Sequence, residues 1–305
     1  MDTPDIRSLQ AFWDEGWTPK ELRAAIAEGS LERIRRGRLA PGATRTPTEQ
    51  HVLAAVAAWQ SRSPDHAISH TSAAVLHGLP VRSSSLTTVE LTRWSNTHGK
   101  TSSGVRLHRA KLPDDEVVIL HGVRVTSLER TVADLARQES YGWGVVAADA
   151  ALRLDADRAL LTDHVDRGTR KRNNARLRQV LAFASPDAES AAESWSRVSI
   201  ARAGLPMPEL QFQVHIPEGG GWAATCDFGW PEHGIVGEVD GKLKYTDDER
   251  RGRQAADVVM QEKDRDAAII ACGYTPVHWD WKMALNHTRL GAHLRDVFAG
   301  RGVQL

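Results

Sequence analysis

The chain of 305 residues holds only two cysteines, Cys226 and Cys272, far apart in sequence. Two thiols cannot supply a multi-cysteine zinc site, nor the disulfide framework of a small secreted domain. The formal net charge is zero, so no global field draws the protein to nucleic acid, and any such binding must rest on local patches. No apolar run reaches the roughly 18 residues that a membrane span needs. The opening, MDTPDIRSLQ, lacks the basic-then-apolar order of a signal segment. A cytoplasmic protein with no membrane partner is therefore expected. Gly219 to Gly221 lack the lysine that follows in a Walker loop and read as a hairpin turn, and no nucleophile-elbow pattern supports a Ser-His-Asp triad.

What is present is a soluble, globular composition, 41% hydrophobic and 26% charged. The length exceeds one ordinary core, so two or three domains are expected. Three segments separate by pattern: 1–80, a winged-helix DNA-binding region; 81–180, a mixed α/β accessory domain and charged linker; and 181–305, a mixed sheet flanked by helices. The fold class is α/β in the broad sense that includes α+β.

In WTPKELRAAIAEGSLERIRRGRLA, Thr18 caps a helix, Pro19 suits its first position and Glu21 completes a capping box. Leu22, Ala25 and Ile26 share a face, and Gly29 stops the helix. The next residues alternate as a strand with Gly37 at the turn. Helix, helix, basic ribbon is the order of a winged helix-turn-helix. Arg33, Arg35, Arg36 and Arg38 are thus candidate phosphate contacts; the plainer reading is a solvated strand face. Helices follow from Pro47 and from about Ser69; His70 and His77, seven apart, can share a face, but with no evident third ligand a structural role is expected for both. Between Val81 and Leu154 strand-like and helical pieces carry no evident chemistry. Asp163 to Arg178 reads equally as a helix or a linker.

The last segment opens with a helix start at Ser185-Pro186-Asp187, which puts Glu189 and Glu193 on one helical face. LQFQVHI, AATCDFGW and GIVGEVDG read as three strands, and a capping box at Thr246 to Glu249 opens a long charged helix to about Ala271. TPVHWDW is a fourth strand and ALNHTRLGAHLRDVF a final helix. If Pro231 to Gly234 form a four-residue loop, Trp230 faces Ile235 and Asp227 stands opposite Glu238, with Asp240 pointing the same way. Opposed carboxylates repel, and a divalent cation reverses that penalty. The alternative is pairing of these acids with Arg250, Arg251, Arg253 or Lys263.

Helical Glu193, then Asp227, ten intervening residues and Glu238-Val239-Asp240-Gly241 resemble the PD-(D/E)XK nuclease superfamily, in its very-short-patch-repair-related branch. The later EKDRDAAIIACGYTPVHWDW resembles the helix and strand that close that fold. The resemblance covers about a third of the chain. It implies a restriction-endonuclease-like sheet, Mg²⁺ or Mn²⁺ held by Asp227, Glu238 and Asp240, and assistance from Glu193. Two departures stand out: Cys226 replaces the motif proline, and Asp240 occupies the lysine place, so that Lys242 or Lys263 would take the lysine role. The first half, with its helix-turn-wing spacing, SHTSAAVLHGLP and SLERTVADLAR, resembles the AbiEi-type antitoxin arrangement, which implies DNA binding and autoregulation.

The sequence reading is a metal-dependent DNA endonuclease targeted by a winged helix. The rival is a non-catalytic DNA-binding regulator or antitoxin with a degenerate nuclease-like domain. DNA is the expected partner, with a toxin or a DNA-repair protein, or a second copy of the chain, as further candidates. RNA as substrate is a third option.

Overall fold

The computed structural model describes residues 4–62, 65–94, 104–215, 222–240 and 254–305. Strand β1 (Arg7–Ser8) leads into helices α1 (Leu9–Asp14) and α2 (Pro19–Ala27), then strands β2 (Leu31–Arg35) and β3 (Arg38–Pro41). Helix α2 starts as its caps dictate: Thr18 accepts from the Glu21 N–H, and the Glu21 carboxylate accepts from the Thr18 N–H at 2.7 Å. Leu22 packs with Phe12 and Leu39 in a small core. The strands pair antiparallel in the order β1-β3-β2, and Gly37, at a φ of 78°, turns the β2–β3 hairpin.

Helix α3 (Pro47–Gln60) has a second capping box, made by Thr46 and Glu49. The five strands that follow are β4 (His66–Ile68), β5 (Val89–Arg93), β6 (Val105–Arg109), β7 (Val117–Leu120) and β8 (Val123–Thr126), in the spatial order β6-β5-β4-β8-β7. The sheet is mixed: β4–β8 and β5–β6 are parallel, while β4–β5 and β7–β8 are antiparallel. Val52, Val56, Ile68, Leu91, Val105 and Val125 build its core. Helices α4 (His70–Leu76), α5 (Leu128–Gln138), α6 (Tyr141–Arg153), α7 (Arg158–Asp166) and α8 (Asn174–Phe183) complete the segment. The charge-dense stretch 163–178 is therefore the end of one helix, a turn and the start of the next. Buried Arg137 fixes that turn, donating to the His164 carbonyl at 2.6 Å and to Asn174 Oδ1 at 2.8 Å. Both histidines of the spacing pair are structural: His77 Nε2 bonds the Thr126 carbonyl at 2.8 Å, and His70 stacks on His108.

By contact the chain forms two units, Met1–Ala147 with Asp155–Ala182, and Ala148–Leu154 with Phe183–Leu305. In the second, helix α9 (Ala191–Arg202) is capped by Ser190, five residues beyond the predicted cap at Ser185. The reason is local. Ser185 Oγ is spent on Asp187, while Ser190 Oγ accepts from the Glu193 N–H at 3.1 Å and caps the helix. Glu189 consequently lies before the helix, and Glu193 occupies its third position.

Strands β9 (Glu209–His215), β10 (Trp222–Trp230) and β11 (Ile235–Asp240) run antiparallel in sequence, and β12 (Thr275–Asp280) adds parallel to β11. Helix α10 (Gln254–Ala271) makes that crossover; α11 (Trp281–Ala284) and α12 (His287–Gly300) close the chain. The order β12-β11-β10-β9 is the mixed, helix-flanked sheet expected from the sequence. Its two sides have separate cores. Phe228, Trp230, Ile235 and Trp279 pack with Ile200, Leu290 and Phe298, whereas Cys226, Val236 and Val214 pack with Ile269 of α10. Gly237 is required by this packing, because a Cβ there would meet Trp279 Cη2 at 2.6 Å.

Candidate carboxylate site and nucleic-acid interface

The β10–β11 register is the counted one: Trp230 pairs with Ile235, Gly229 with Val236 and Phe228 with Gly237. Continuing it places Asp227 opposite Glu238. The β9 register likewise carries Gln211 to Asp227, and Glu238 pairs with His278 of β12. Gln211, Asp227, Glu238 and His278 thus stand side by side across all four strands.

Simple alternation, however, fails at Asp227. Cys226 joins the core on the α10 side and Phe228 joins the opposite one, so both neighbours of Asp227 are buried on different faces. Opposite the break, Gln211 has a φ of 50°, an uncommon conformation for a side-chain-bearing residue. The Asp227 carboxylate accepts from the Val239 N–H at 2.9 Å. The expected opposition of Asp227 and Glu238 is present in the register, and the Asp227 charge acts on Glu238. Glu238 is partly covered; Asp240 is exposed at the strand end, paired in register with Asp280, which caps α11.

Glu193 approaches from α9. It is 5% exposed, accepts from the Glu189 N–H at 2.7 Å and from Gln211 Nε2 at 3.0 Å. Burial first, and then the charge of Asp227, pushes its carboxyl above the usual range. Glu238 is raised by burial and by Asp227 too, although Arg265 and His278 oppose the shift. Asp227 is therefore the electrostatic link between the two glutamates. The Cys226 thiol, buried beside Glu238, is pushed up to about 12 and is no nucleophile at neutral pH.

Among the described residues, Arg265 reaches Glu238 at 2.5 Å, with His278 Nδ1 at 3.9 Å and His278 Nε2 in turn 3.2 Å from Asp266. Lys263 is exposed on α10, two residues before Arg265. Lys242, Lys244, the 246–249 capping box, Arg250, Arg251, Arg253 and the Gly219–Gly221 turn lie outside the described residues. Sequence reasoning missed Gln211, Arg265 and His278. Counting back along β9 would have found Gln211; no local signal marks the others.

Among the described residues no three or more His, Cys, Asp or Glu side chains converge as metal ligands. Mg²⁺, however, commonly takes only one or two carboxylates, completing its shell with water and phosphate. Asp227 and Glu238 stand opposed in register, one Asp227 oxygen accepting from the Val239 N–H and one Glu238 oxygen paired with Arg265.

The four arginines of the basic hairpin are not equivalent. Arg33 and Arg36 are exposed. Arg35 is half-buried, and burial lowers its pKa. Arg38 is anchored as a strut between β3 and α3, donating to the Gln60 carbonyl at 2.8 Å and to Ser61 Oγ at 3.4 Å. Beside it lies an open groove of about 590 Å³, whose walls include Arg62, Arg124 and Trp59. Arg62 is depressed by burial and by the charge of Arg35, which places two guanidiniums close together. Neither Arg62 nor Arg124 was marked by the sequence pattern.

Among the described residues no helix is long and apolar enough to cross a membrane. Residues 66–183, which span β4 to α8, match the AbiEi antitoxin C-terminal domain family. The chain is 34% identical over 111 residues to the uncharacterized proteins MT2308 and Rv2248 of two Mycobacterium tuberculosis strains, a match covering 36% of this chain. It spans 40% of the length of those curated relatives. Among solved structures, the crystal structure of the RV2827C protein from Mycobacterium tuberculosis aligns with a TM-score of 0.40 and 14% identity, over 71% of this chain and 85% of that one. The likeness to an antitoxin domain covers the five-stranded sheet and helices α4 to α8.

Proposed function

We propose that the protein is a DNA-binding regulator of the antitoxin type, with a toxin as its protein partner. The observation that carries this reading is the β2–β3 hairpin, which exposes Arg33 and Arg36 and whose Arg38 lines a groove together with Arg62 and Arg124. Clustered guanidiniums on a chain of zero net charge suit phosphate contact through a local patch. The antitoxin-domain likeness at residues 66–183 supports the same role. The test is fluorescence anisotropy with duplex DNA, including the sequence upstream of the protein's own gene, across a salt series. Arg33→Ala and Arg36→Ala should each reduce the slope of log affinity against log salt by about one. Absence of binding at low salt, or slopes unchanged in both variants, would refute the reading.

A second reading is favoured by the juxtaposition of Glu193, Asp227 and Glu238: a metal-dependent DNA endonuclease. Asp227 and Glu238 would hold Mg²⁺ or Mn²⁺. The bound ion would supply Lewis-acid polarisation of a phosphoryl oxygen and a more acidic water. Of the protein's own groups, Arg265 and His278 orient Glu238, Gln211 orients Glu193, and exposed Lys263 or Asp240 would meet the substrate. Cleavage of single-stranded, duplex, mismatched and branched DNA with Mg²⁺, Mn²⁺ or EDTA, beside Asp227→Ala, separates the readings. Mn²⁺ binding followed by electron paramagnetic resonance gives a readout independent of turnover. Cutting that survives in Asp227→Ala would exclude this site as its source.

A further inference from the structure

We infer that the β5–β6 face of the first unit carries a binding site for a small phosphorylated ligand, separate from the DNA-contacting hairpin and independent of that reading. A cavity of about 300 Å³ opens beside the 3-10 turn Ser83–Thr87. One of its walls is Glu90, a carboxylate only 2% exposed. A buried acid on a cavity wall would ordinarily suggest a cationic guest. Here its oxygens are already taken.

Glu90 Oε1 accepts from Arg106 Nη1 at 3.1 Å, from Gln138 Nε2 at 3.0 Å, and pairs with His108 Nε2 at 3.1 Å. Its Oε2 accepts from the Thr71 N–H at 3.0 Å and again from Gln138 at 3.2 Å. The second acid, Glu139, accepts from Ser85 Oγ at 3.3 Å and lies 3.7 Å from Arg82 Nη2. Both carboxylates therefore serve as backing that holds a donor in place.

What the cavity presents to a guest is consequently donors. Arg82 and Arg106 each use one nitrogen in these contacts, and a guanidinium has five N–H groups. Both side chains remain about half-exposed, at 54% and 52%. Ser84 and Thr88, each bearing a hydroxyl, line the same space. Two guanidinium forks and hydroxyls around one cavity match the oxygens of a phosphate group. The two arginines and two glutamates balance in charge, so the cavity is no general sink for polyanions. Recognition rests on directed N–H and O–H groups, which favours a phosphomonoester over a DNA backbone. The volume, at the lower end for small-molecule sites, leaves room for an organic body beside the phosphate.

The experiment is isothermal titration of the full chain with inorganic phosphate and with a nucleoside 5′-monophosphate, against chloride at matched ionic strength. Saturable binding is expected in the wild type. Arg82→Gln, at an exposed position, should weaken it about tenfold or more. Thr88→Val, checked for folding by circular dichroism, should weaken it without a change of charge. No saturable binding of either probe, or wild-type affinity in both variants, overturns the proposal. Displacement of bound phosphate by a short duplex would overturn the assignment to a small ligand. DNA affinity measured in parallel should be unchanged in Arg82→Gln, so the cavity and the hairpin succeed or fail separately.

Discussion

Burial lowers the pKa of four imidazoles, His51, His70, His77 and His164, and His70 is the one pushed furthest among them. His70 stacks on His108 with ring centroids 3.6 Å apart, and burial pushes its pKa down to about 4. In the unfolded chain it titrates near 6.5. Between those values the unfolded state binds the extra proton, so stability falls as pH drops from about 6.5 to about 4, at up to about 1.4 kcal/mol per pH unit. Glu90 extends the loss. Burial alone would raise its pKa, but the His108 and Gln138 hydrogen bonds and nearby positive charge hold it at about 2. Its contribution is complete above the ordinary glutamate range and disappears as pH falls toward 2. Urea unfolding from pH 4 to 7.5 should show a flatter profile for His70→Asn, a residue that tolerates the positive φ of 52°. An unchanged profile would remove His70 from the account.

Glu193 acts with the opposite sign. Its pKa is raised in the folded protein, so the native state binds more protons and stability falls as pH rises through that raised value. Glu193→Gln should therefore gain on the wild type in urea titrations as pH increases from about 4.5 to 7. The opposed positions of Asp227 and Glu238 were legible because a four-residue connection fixes the register. The partners Arg265 and His278 were not. Their placement depends on how α10 lies over the sheet, which strand counting does not determine.

At the scale of elements, caps were the most readable feature and alternation the least. Thr18, Thr46 and their glutamates announce two helices, and each makes its reciprocal pair. Thr46→Ala should cost about 1 kcal/mol, measured as a loss in unfolding free energy. Ser185 misled because it satisfies the same local pattern as Ser190; its hydroxyl instead closes a turn with Asp187, accepting from the Asp187 N–H at 3.2 Å and donating to the Asp187 carboxylate. In β10 the period of two fails at Asp227, since the two cores claim Cys226 and Phe228 from opposite sides. Gly237→Ala is expected to destabilise the second unit by about 1–3 kcal/mol and to alter the near-ultraviolet signal of Trp279, which stacks on Phe228 at 5.1 Å. Wild-type stability and spectrum in that variant would show that Trp279 can move aside.

For the whole molecule, zero net charge and a basic hairpin make a specific combination. Long-range attraction is weak, while local phosphate contacts remain sensitive to salt. Arg38→Ala is thus expected to lower stability, because it removes the bonds to Gln60 and Ser61, and to change the salt slope less than Arg33→Ala does. Thermal unfolding and anisotropy on the same preparations decide between the roles. Composition and element order were enough to predict a mixed αβ architecture. They did not predict which arginines are spent internally, because that depends on where the last turn of α3 ends.

The Arg38 strut has one more consequence. Its guanidinium grips a helix end whose own closure is light: Ser61 Oγ donates to the Ala57 carbonyl and the Arg62 N–H to the Trp59 carbonyl. Load applied to the hairpin by a bound duplex would be transmitted through Arg38 into that final turn. The amides of Ser61 and Arg62 should then exchange deuterium more slowly in the DNA-bound protein than in the free one, turning a helix terminus into a built-in strain gauge for the hairpin.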